Sequence, residues 1–315
     1  MKNKVTIIGA GTVGASIAYT LAARDLASDI LLIDINEAKA KGEAMDIFQA
    51  TPYLSPAVVR AGSYEDAEGS DIVIITSGMP RKPGMTRIDL VQANVKIIKS
   101  IAPQIAKHAP DAKYILVANP VDILTYVFIK ETGLPAERVI GSGTLLDTAR
   151  LRTRIAEFFK VNQNQVDANV FGEHGDTSFV PWSMATVAGI PLEQYTKSLK
   201  EIPEGVKEFN EDEVVEYVRK SGGQIIANKG VTNYGIAASV CQLVKCLSSD
   251  IDSIFTVSVL MQGEYGIEDV CVSIMAIVNC NGVKTTIEAP ITEEERLKLV
   301  ASADALKKVI AEALN

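Results

Sequence analysis

Val5-Thr6-Ile7-Ile8-Gly9-Ala10-Gly11-Thr12-Val13-Gly14 is the stretch that decides how this chain folds. A short apolar run ends at a glycine. The pattern Gly-x-Gly-x-x-Gly then opens a segment carrying Ile17, Ala18 and Leu21 at helical spacing. The glycine pattern alone is a weak signal; the strand before it and the helix after it supply its meaning. Without Cβ atoms, Gly9 and Gly11 let the backbone turn and approach a pyrophosphate, and Gly14 lets the helix sit close to the sheet. The helix N-terminus, at Thr12 and Val13, then offers oriented N–H groups to the phosphates. Asp34 stands twenty residues beyond Gly14, at the end of the next apolar run. A carboxylate there accepts both hydrogen bonds of an adenosine ribose and repels a 2′-phosphate, favouring NAD over NADP. The competing reading is a simple tight turn with Asp34 capping a loop.

Further apolar runs at Ile30–Ile33, Ile72–Ile75 and Tyr114–Val117 lack alternation, and helical stretches such as Val13–Ala23 and Leu90–Lys107 separate them. That is the pattern of a parallel sheet covered on both faces, so the first half reads as a doubly wound, Rossmann-type α/β domain. The second half reads as a mixed α+β domain. Leu145–Phe159 is a long helix, and Val257–Leu260, Val270–Val278 and Lys284–Ile287 form antiparallel strands with Gly263 or Asn281-Gly282 in their turns. Thr292 and Glu295 make a capping box for a last helix running to Leu314. Lys200–Glu213 is charged and reads as an exposed loop leading into a helix. The expected division is 1–141 for the nucleotide-binding domain and 142–315 for a substrate-binding, catalytic domain.

Composition narrows the function. A chain of 315 residues with 47% hydrophobic and 22% charged residues is an ordinary globular protein with room for two domains. A net charge of −8 argues against nucleic-acid affinity and provides no basic face for anionic lipid. No apolar run approaches the roughly 18 residues that span a bilayer, and the N-terminus has no apolar signal region. Cys241, Cys246, Cys271 and Cys280 lack metal-ligand spacing and read as reduced core thiols, so no metal and a cytoplasmic location are expected.

Only two histidines occur, His108 and His174. His108 reads as an exposed helix end. His174 lies in Phe171-Gly172-Glu173-His174-Gly175-Asp176, and an imidazole is the side chain best suited to exchange a proton near pH 7. Paired with a hydride-carrying cofactor, it points to redox chemistry at a hydroxyl or carbonyl carbon. Asp147, Arg150 and Arg154 share one arc of a helix whose adjoining arc is Leu151, Ile155 and Phe158. They are either an intrahelical ion pair or a site in which Asp147 reaches His174 and Arg150 reaches a substrate carboxylate. Met79-Pro80-Arg81-Lys82-Pro83-Gly84-Met85-Thr86-Arg87 is a basic loop after the third apolar run, ending in an N-cap at Thr86. It is either solvated charge or a lid over the cofactor. Asn94 falls on the apolar stripe of the next helix, as a satisfied core amide or as a site residue.

Gly9-Ala10-Gly11-Thr12-Val13-Gly14, Asn119-Pro120-Val121-Asp122, Leu146-Asp147-Thr148-Ala149-Arg150 and Gly172-Glu173-His174-Gly175-Asp176 occur in that order. Together they resemble the NAD-dependent L-lactate/malate dehydrogenase family over essentially the whole chain. The resemblance implies that His174 donates and accepts the proton, Asp147 orients it, and Arg150 grips the substrate C1 carboxylate with a bidentate fork. It implies that Arg87 arrives with a closing lid to polarise the carbonyl, and that Asn119 and Thr232 line the substrate pocket. It adds Thr76, Gly78, Asn94, Val117 and Asn119 to Gly9, Gly11, Thr12, Val13, Gly14 and Asp34 as the cofactor-binding set, and implies a homotetramer or homodimer. A catalytically silent NAD-binding protein on the same fold is the alternative from another class.

Within that family, a glutamine at one lid position goes with pyruvate and an arginine with the second carboxylate of oxaloacetate. Here the position is Arg81, so malate/oxaloacetate is expected ahead of lactate/pyruvate. Gly141–Asp147, the His174 motif, Pro181-Trp182-Ser183 and Lys229-Gly230-Val231-Thr232 resemble the lactate type, leaving lactate or mixed activity as the alternative. Family members activated by fructose 1,6-bisphosphate use an arginine and a histidine at a subunit interface. Arg152 matches the first, but Asp167 replaces the second, and a carboxylate repels phosphate, so activation is expected to be weak or absent.

Overall fold

The computed structural model describes residues 3–80, 84–199 and 209–314. Its first half alternates β1 (Lys4–Ile8), α1 (Thr12–Ala23), β2 (Asp29–Ile33), α2 (Glu37–Ala50), β3 (Val58–Ala61), β4 (Ile72–Ile75), α3 (Arg87–His108), β5 (Lys113–Leu116), α4 (Val121–Thr132) and β6 (Val139–Gly141). These strands pair in parallel in the order β6-β5-β4-β1-β2-β3. Ile7, Ile30, Leu32, Ile72 and Ile74 are wholly buried, as strands covered on both faces must be. The chain leaves β1 toward β2 on one side and returns to β4 on the other. The crevice at the carboxyl ends of β1 and β4 is therefore the switch point where such sheets bind ligands.

Two of these strands carried too little signal to be read from sequence. β3 lies at the sheet edge and includes Arg60, which pairs with Asp29 at 3.2 Å, while β6 is only three residues long. The third helix runs longer than the apolar stripe indicated, because Thr86 and Asp89 form a full capping box at its start. His108, its last residue, is half-buried rather than exposed.

The second half contains α5 (Leu145–Phe159), the small antiparallel sheet β7 (Val166–Asp167), β8 (Thr186–Val187) and β9 (Ile190–Pro191), then α6 (Leu192–Ser198), α7 (Glu211–Lys229) and α8 (Tyr234–Leu247). β10 (Ser253–Gln262), β11 (Glu268–Asn279) and β12 (Gly282–Thr286) form an antiparallel meander, and α9 (Glu293–Leu314) closes the chain. Most of the charged loop expected over 200–213 lies outside the described residues. The box at α9 is present, with Thr292 N–H on Glu295 Oε2 at 2.8 Å and Glu295 N–H on Thr292 Oγ1 at 3.2 Å. The meander does not stand apart. β10 pairs with β6 through Ser258 and Gly141, so a single nine-stranded sheet runs across the expected division. A second core of Leu151, Ile155, Phe159, Val214 and Val218 packs α5 against α7. Among the described residues, no helix is long and apolar enough to cross a membrane, and no group of three His, Cys, Asp or Glu could hold a metal.

Candidate active site

The glycine loop has the geometry that its sequence demands. Gly9 takes φ +109°, open to glycine, and a Cβ on Gly14 would fall 1.9 Å from the Gly9 carbonyl oxygen. A Cβ on Gly11 would meet nothing within 4 Å, which leaves that side of the loop open to a ligand. Thr12, Val13 and Gly14 form the first turn of α1, and no side chain caps it. Thr76, at the end of β4, donates to the Gly9 carbonyl at 2.9 Å and braces the turn. Asp34 accepts the Ala10 N–H at 2.7 Å and the Asn36 N–H at 2.8 Å. It does hold the loop, yet each oxygen keeps a lone pair for a ribose hydroxyl, so capping and ribose binding are compatible. These residues fit a dinucleotide: a bare-backbone turn, an open helix N-terminus and a carboxylate one strand away.

Asn94 and Gly78 complete the floor of the crevice. Asn94 is 1% exposed, and its amide accepts Met79 N–H at 2.7 Å and donates to the Met79 and Asn119 carbonyls at 3.2 and 2.7 Å. It is a satisfied amide that ties the start of the basic loop to the bend after β5. Gly78 packs against Ala118 beside it. Val117 is buried at the carboxyl end of β5, Asn119 is exposed there, and the Asn119–Pro120 peptide is cis.

The candidate proton-exchange group is assembled from two segments. His174 Nδ1 lies 2.5 Å from Asp147 Oδ2, and Arg150 donates to Asp147 Oδ1 at 2.9 Å. On the α5 arc, Asp147 and Arg150 do pair within the helix, and the same carboxylate also reaches the imidazole. Burial disfavours the charged imidazole, but the adjacent Asp147 carboxylate outweighs it and raises the His174 pKa above its ordinary 6.5. Burial alone would push Asp147 up, whereas His174 and Arg150 together hold it below the usual carboxylate range. With Nδ1 engaged, Nε2 is the nitrogen left to exchange a proton. Arg150 retains free donors, and Gly222 of α7 faces its guanidinium, where a Cβ would lie 3.5 Å from it.

Arg87, the first residue of α3, bonds the Glu173 carboxylate and lies 3.4 Å from Asp176, on either side of His174 in sequence. Thr232 is half-buried in the turn between α7 and α8. Arg81 lies outside the described residues. The reading from sequence missed two participants, Glu173 and Asp122. Both stand inside quoted motifs, but nothing in their spacing says that one meets Arg87 and the other supports His174. Arg152 bonds Asp167 at 3.1 Å, the Ala168 carbonyl at 2.9 Å and Asn169 at 3.1 Å.

Residues 3–141 match the lactate/malate dehydrogenase NAD-binding domain, and residues 144–315 match the lactate/malate dehydrogenase alpha/beta C-terminal domain. The chain belongs to the lactate/malate dehydrogenase family. Within it, the L-lactate dehydrogenase of Acetivibrio thermocellus is 44% identical over 307 residues, covering 98% of this chain and 96% of that one. L-lactate dehydrogenase 1 of Clostridium acetobutylicum is 42% identical over 97% of this chain and 96% of its own. Among solved structures, the lactate dehydrogenase MGS-M5 from a Medee basin deep-sea metagenome library superposes with a TM-score of 0.95 at 35% identity, covering both chains fully. The minor L-lactate dehydrogenase of Enterococcus mundtii gives 0.93 at 37% identity over 99% and 98% of the two chains. The cofactor of this family member is NAD.

Proposed function

We propose that this lactate/malate dehydrogenase family member is an NAD-dependent L-lactate dehydrogenase that interconverts pyruvate and L-lactate. The observation that carries the proposal is the hydrogen-bonded array His174–Asp147–Arg150 in a chain whose relatives are named L-lactate dehydrogenases. NAD, when bound, supplies or accepts the hydride. His174 delivers the proton from Nε2 to the substrate oxygen and takes it back in the reverse direction. Asp147 fixes the ring through Nδ1 and stabilises the imidazolium. Arg150 holds the C1 carboxylate with the donors that Asp147 leaves free. Arg87 serves as the second cation, leaving Glu173 and Asp176 to meet the charge that develops on the substrate oxygen. Asn119 and Thr232 complete the pocket wall. The two family matches support a division at 141/142, with the nucleotide bound by the first unit and chemistry shared with the second.

The expectation of malate first, drawn from Arg81, finds no support among these relatives, and the lactate reading takes its place. Arg81 remains the specific observation favouring a secondary activity on oxaloacetate, because a guanidinium is the natural partner of a second carboxylate. The deciding experiment compares kcat/KM for pyruvate and oxaloacetate with NADH. A higher value for pyruvate is expected, and a clear preference for oxaloacetate would reverse the assignment.

A further inference from the structure

Behind the catalytic loop lies a second buried carboxylate that the reaction just proposed does not use. Asp122, in the first turn of α4, is 2% exposed, and its Oδ2 accepts the backbone N–H of His174 at 2.8 Å. The two preceding N–H groups are fixed as well, Gly172 on the Ser273 carbonyl of β11 at 3.0 Å and Glu173 on the Ser302 hydroxyl of α9 at 2.8 Å. Three successive amides are thus held by three different elements, and only at His174 is the acceptor a charged group. Among the described residues, Asp122 Oδ1 finds no hydrogen bond of good geometry, although the buried Ser258 hydroxyl of β10, likewise without one, is near enough to act on the carboxyl. A neutral acceptor would also satisfy a backbone N–H, without the desolvation cost of a buried carboxylate. The charge therefore has a use beyond the hydrogen bond.

We propose that Asp122 is a positioning residue for His174, fixing the backbone of the proton carrier while its negative charge, behind the loop, adds to that of Asp147 in raising the proton affinity of the imidazole. This rests on the reading of His174 as the proton carrier. The titratable groups facing Asp122 are His174 and Glu173 from the loop and the Cys271 thiol from β11; Asp147 and Arg150 of α5 face His174. Burial raises the Asp122 pKa to about 6, with Ser258 and the His174 N–H working in the opposite direction. At His174, burial opposes the charged ring, Asp147 and then Asp122 favour it, and Arg150 opposes it. The N-terminal turn of α4 is itself a favourable place for an anion.

The test exploits the chain's two histidines, His108 and His174. In cofactor-free protein carrying ¹³C-labelled histidine, each imidazole is titrated by NMR, and H108Q assigns the signals. Asp122→Asn keeps an acceptor for the His174 N–H but removes the charge. The His174 titration should then move to lower pH, together with the alkaline limb of the kcat profile for pyruvate reduction. An unchanged His174 titration in folded D122N overturns the inference. If D122N fails to fold, the wild type decides. With ¹³C-labelled aspartate as well, the pH range over which Asp122 ionises must also perturb the His174 signal, and a His174 signal indifferent to that ionisation overturns the inference. Turnover that survives His174→Asn would instead refute the proton-carrier reading itself, a separate result.

Discussion

Asp147 Oδ2 and His174 Nδ1 lie 2.5 Å apart although 27 residues separate them in the chain. The approach is made by the sheet. α5 starts directly after β6, while the His174 loop returns through the Phe171–Phe179 bridge and the Gly172–Ser273 pairing with β11. Because β6 and β11 both border β10, the two functional segments emerge beside each other.

Replacing His174 with Asn should lower kcat about 10²–10⁴-fold, the usual contribution of a positioned general acid–base group. NADH affinity should be nearly unchanged, because the glycine loop and Asp34 are untouched. Steady-state rates and NADH fluorescence titration read the two effects separately.

The pH dependence has a defined sign. Pyruvate reduction needs the imidazolium, so its rate should hold past the ordinary histidine value of 6.5 and fall as pH rises through the raised pKa of His174. Lactate oxidation needs the neutral ring and should rise over the same range. Asp147→Asn removes the principal stabilising charge and should shift both limbs to lower pH. Limbs that do not move in D147N would show that the carboxylate does not tune the ring.

At the proposed specificity position, Arg81→Gln should depress kcat/KM for oxaloacetate by about 10²-fold, the loss expected when one partner of a charge pair is removed. Pyruvate should be affected only a few-fold. Equal losses for both substrates would mean that this side chain does not meet the substrate's second carboxylate.

Fructose 1,6-bisphosphate should not activate the enzyme. Arg152 is already engaged by Asp167, Ala168 and Asn169, and Asp167 adds repulsion toward phosphate. Activity measured with and without saturating bisphosphate should agree, and a severalfold increase would contradict this account.

The charge on Asp122 should also be visible in stability. Its folded pKa, about 6, lies above its ordinary 3.8. Its contribution is therefore most favourable below the lower value and is lost as pH rises through the higher one. At pH 8 the buried anion costs on the order of 3 kcal/mol, from roughly two pKa units at 1.36 kcal/mol each. D122N should denature at or above the wild-type midpoint at pH 8 and lose that advantage toward pH 4. Urea melts at both values check this; a variant equally destabilised at each would show that Asp122 acts through packing alone.

Much of the fold was legible because its signals are local. The unalternating runs around Ile7, Ile30 and Ile74, the glycine loop with Asp34 behind it, and the caps at Thr86 and Thr292 each need only a few neighbouring residues to be recognised. β3 and β6 were not, since an edge strand with Arg60 and a three-residue strand hold too few side chains to show a period. The continuity of the sheet into β10 was equally invisible, because antiparallel pairing between distant segments leaves no mark in either one.

The order of residues alone determined the dinucleotide-binding half and the family, and it singled out the histidine proposed to exchange the proton, because each follows from backbone permissiveness or from scarcity of side-chain types. Tertiary structure decided which groups surround that histidine. Only folding shows that Asp147 divides its oxygens between His174 and Arg150, that Arg87 rests on Glu173, and that Asp122 sits beneath the loop. Electrostatic interactions depend on distance and burial in space, and neither quantity is encoded in the separation of residues along a chain.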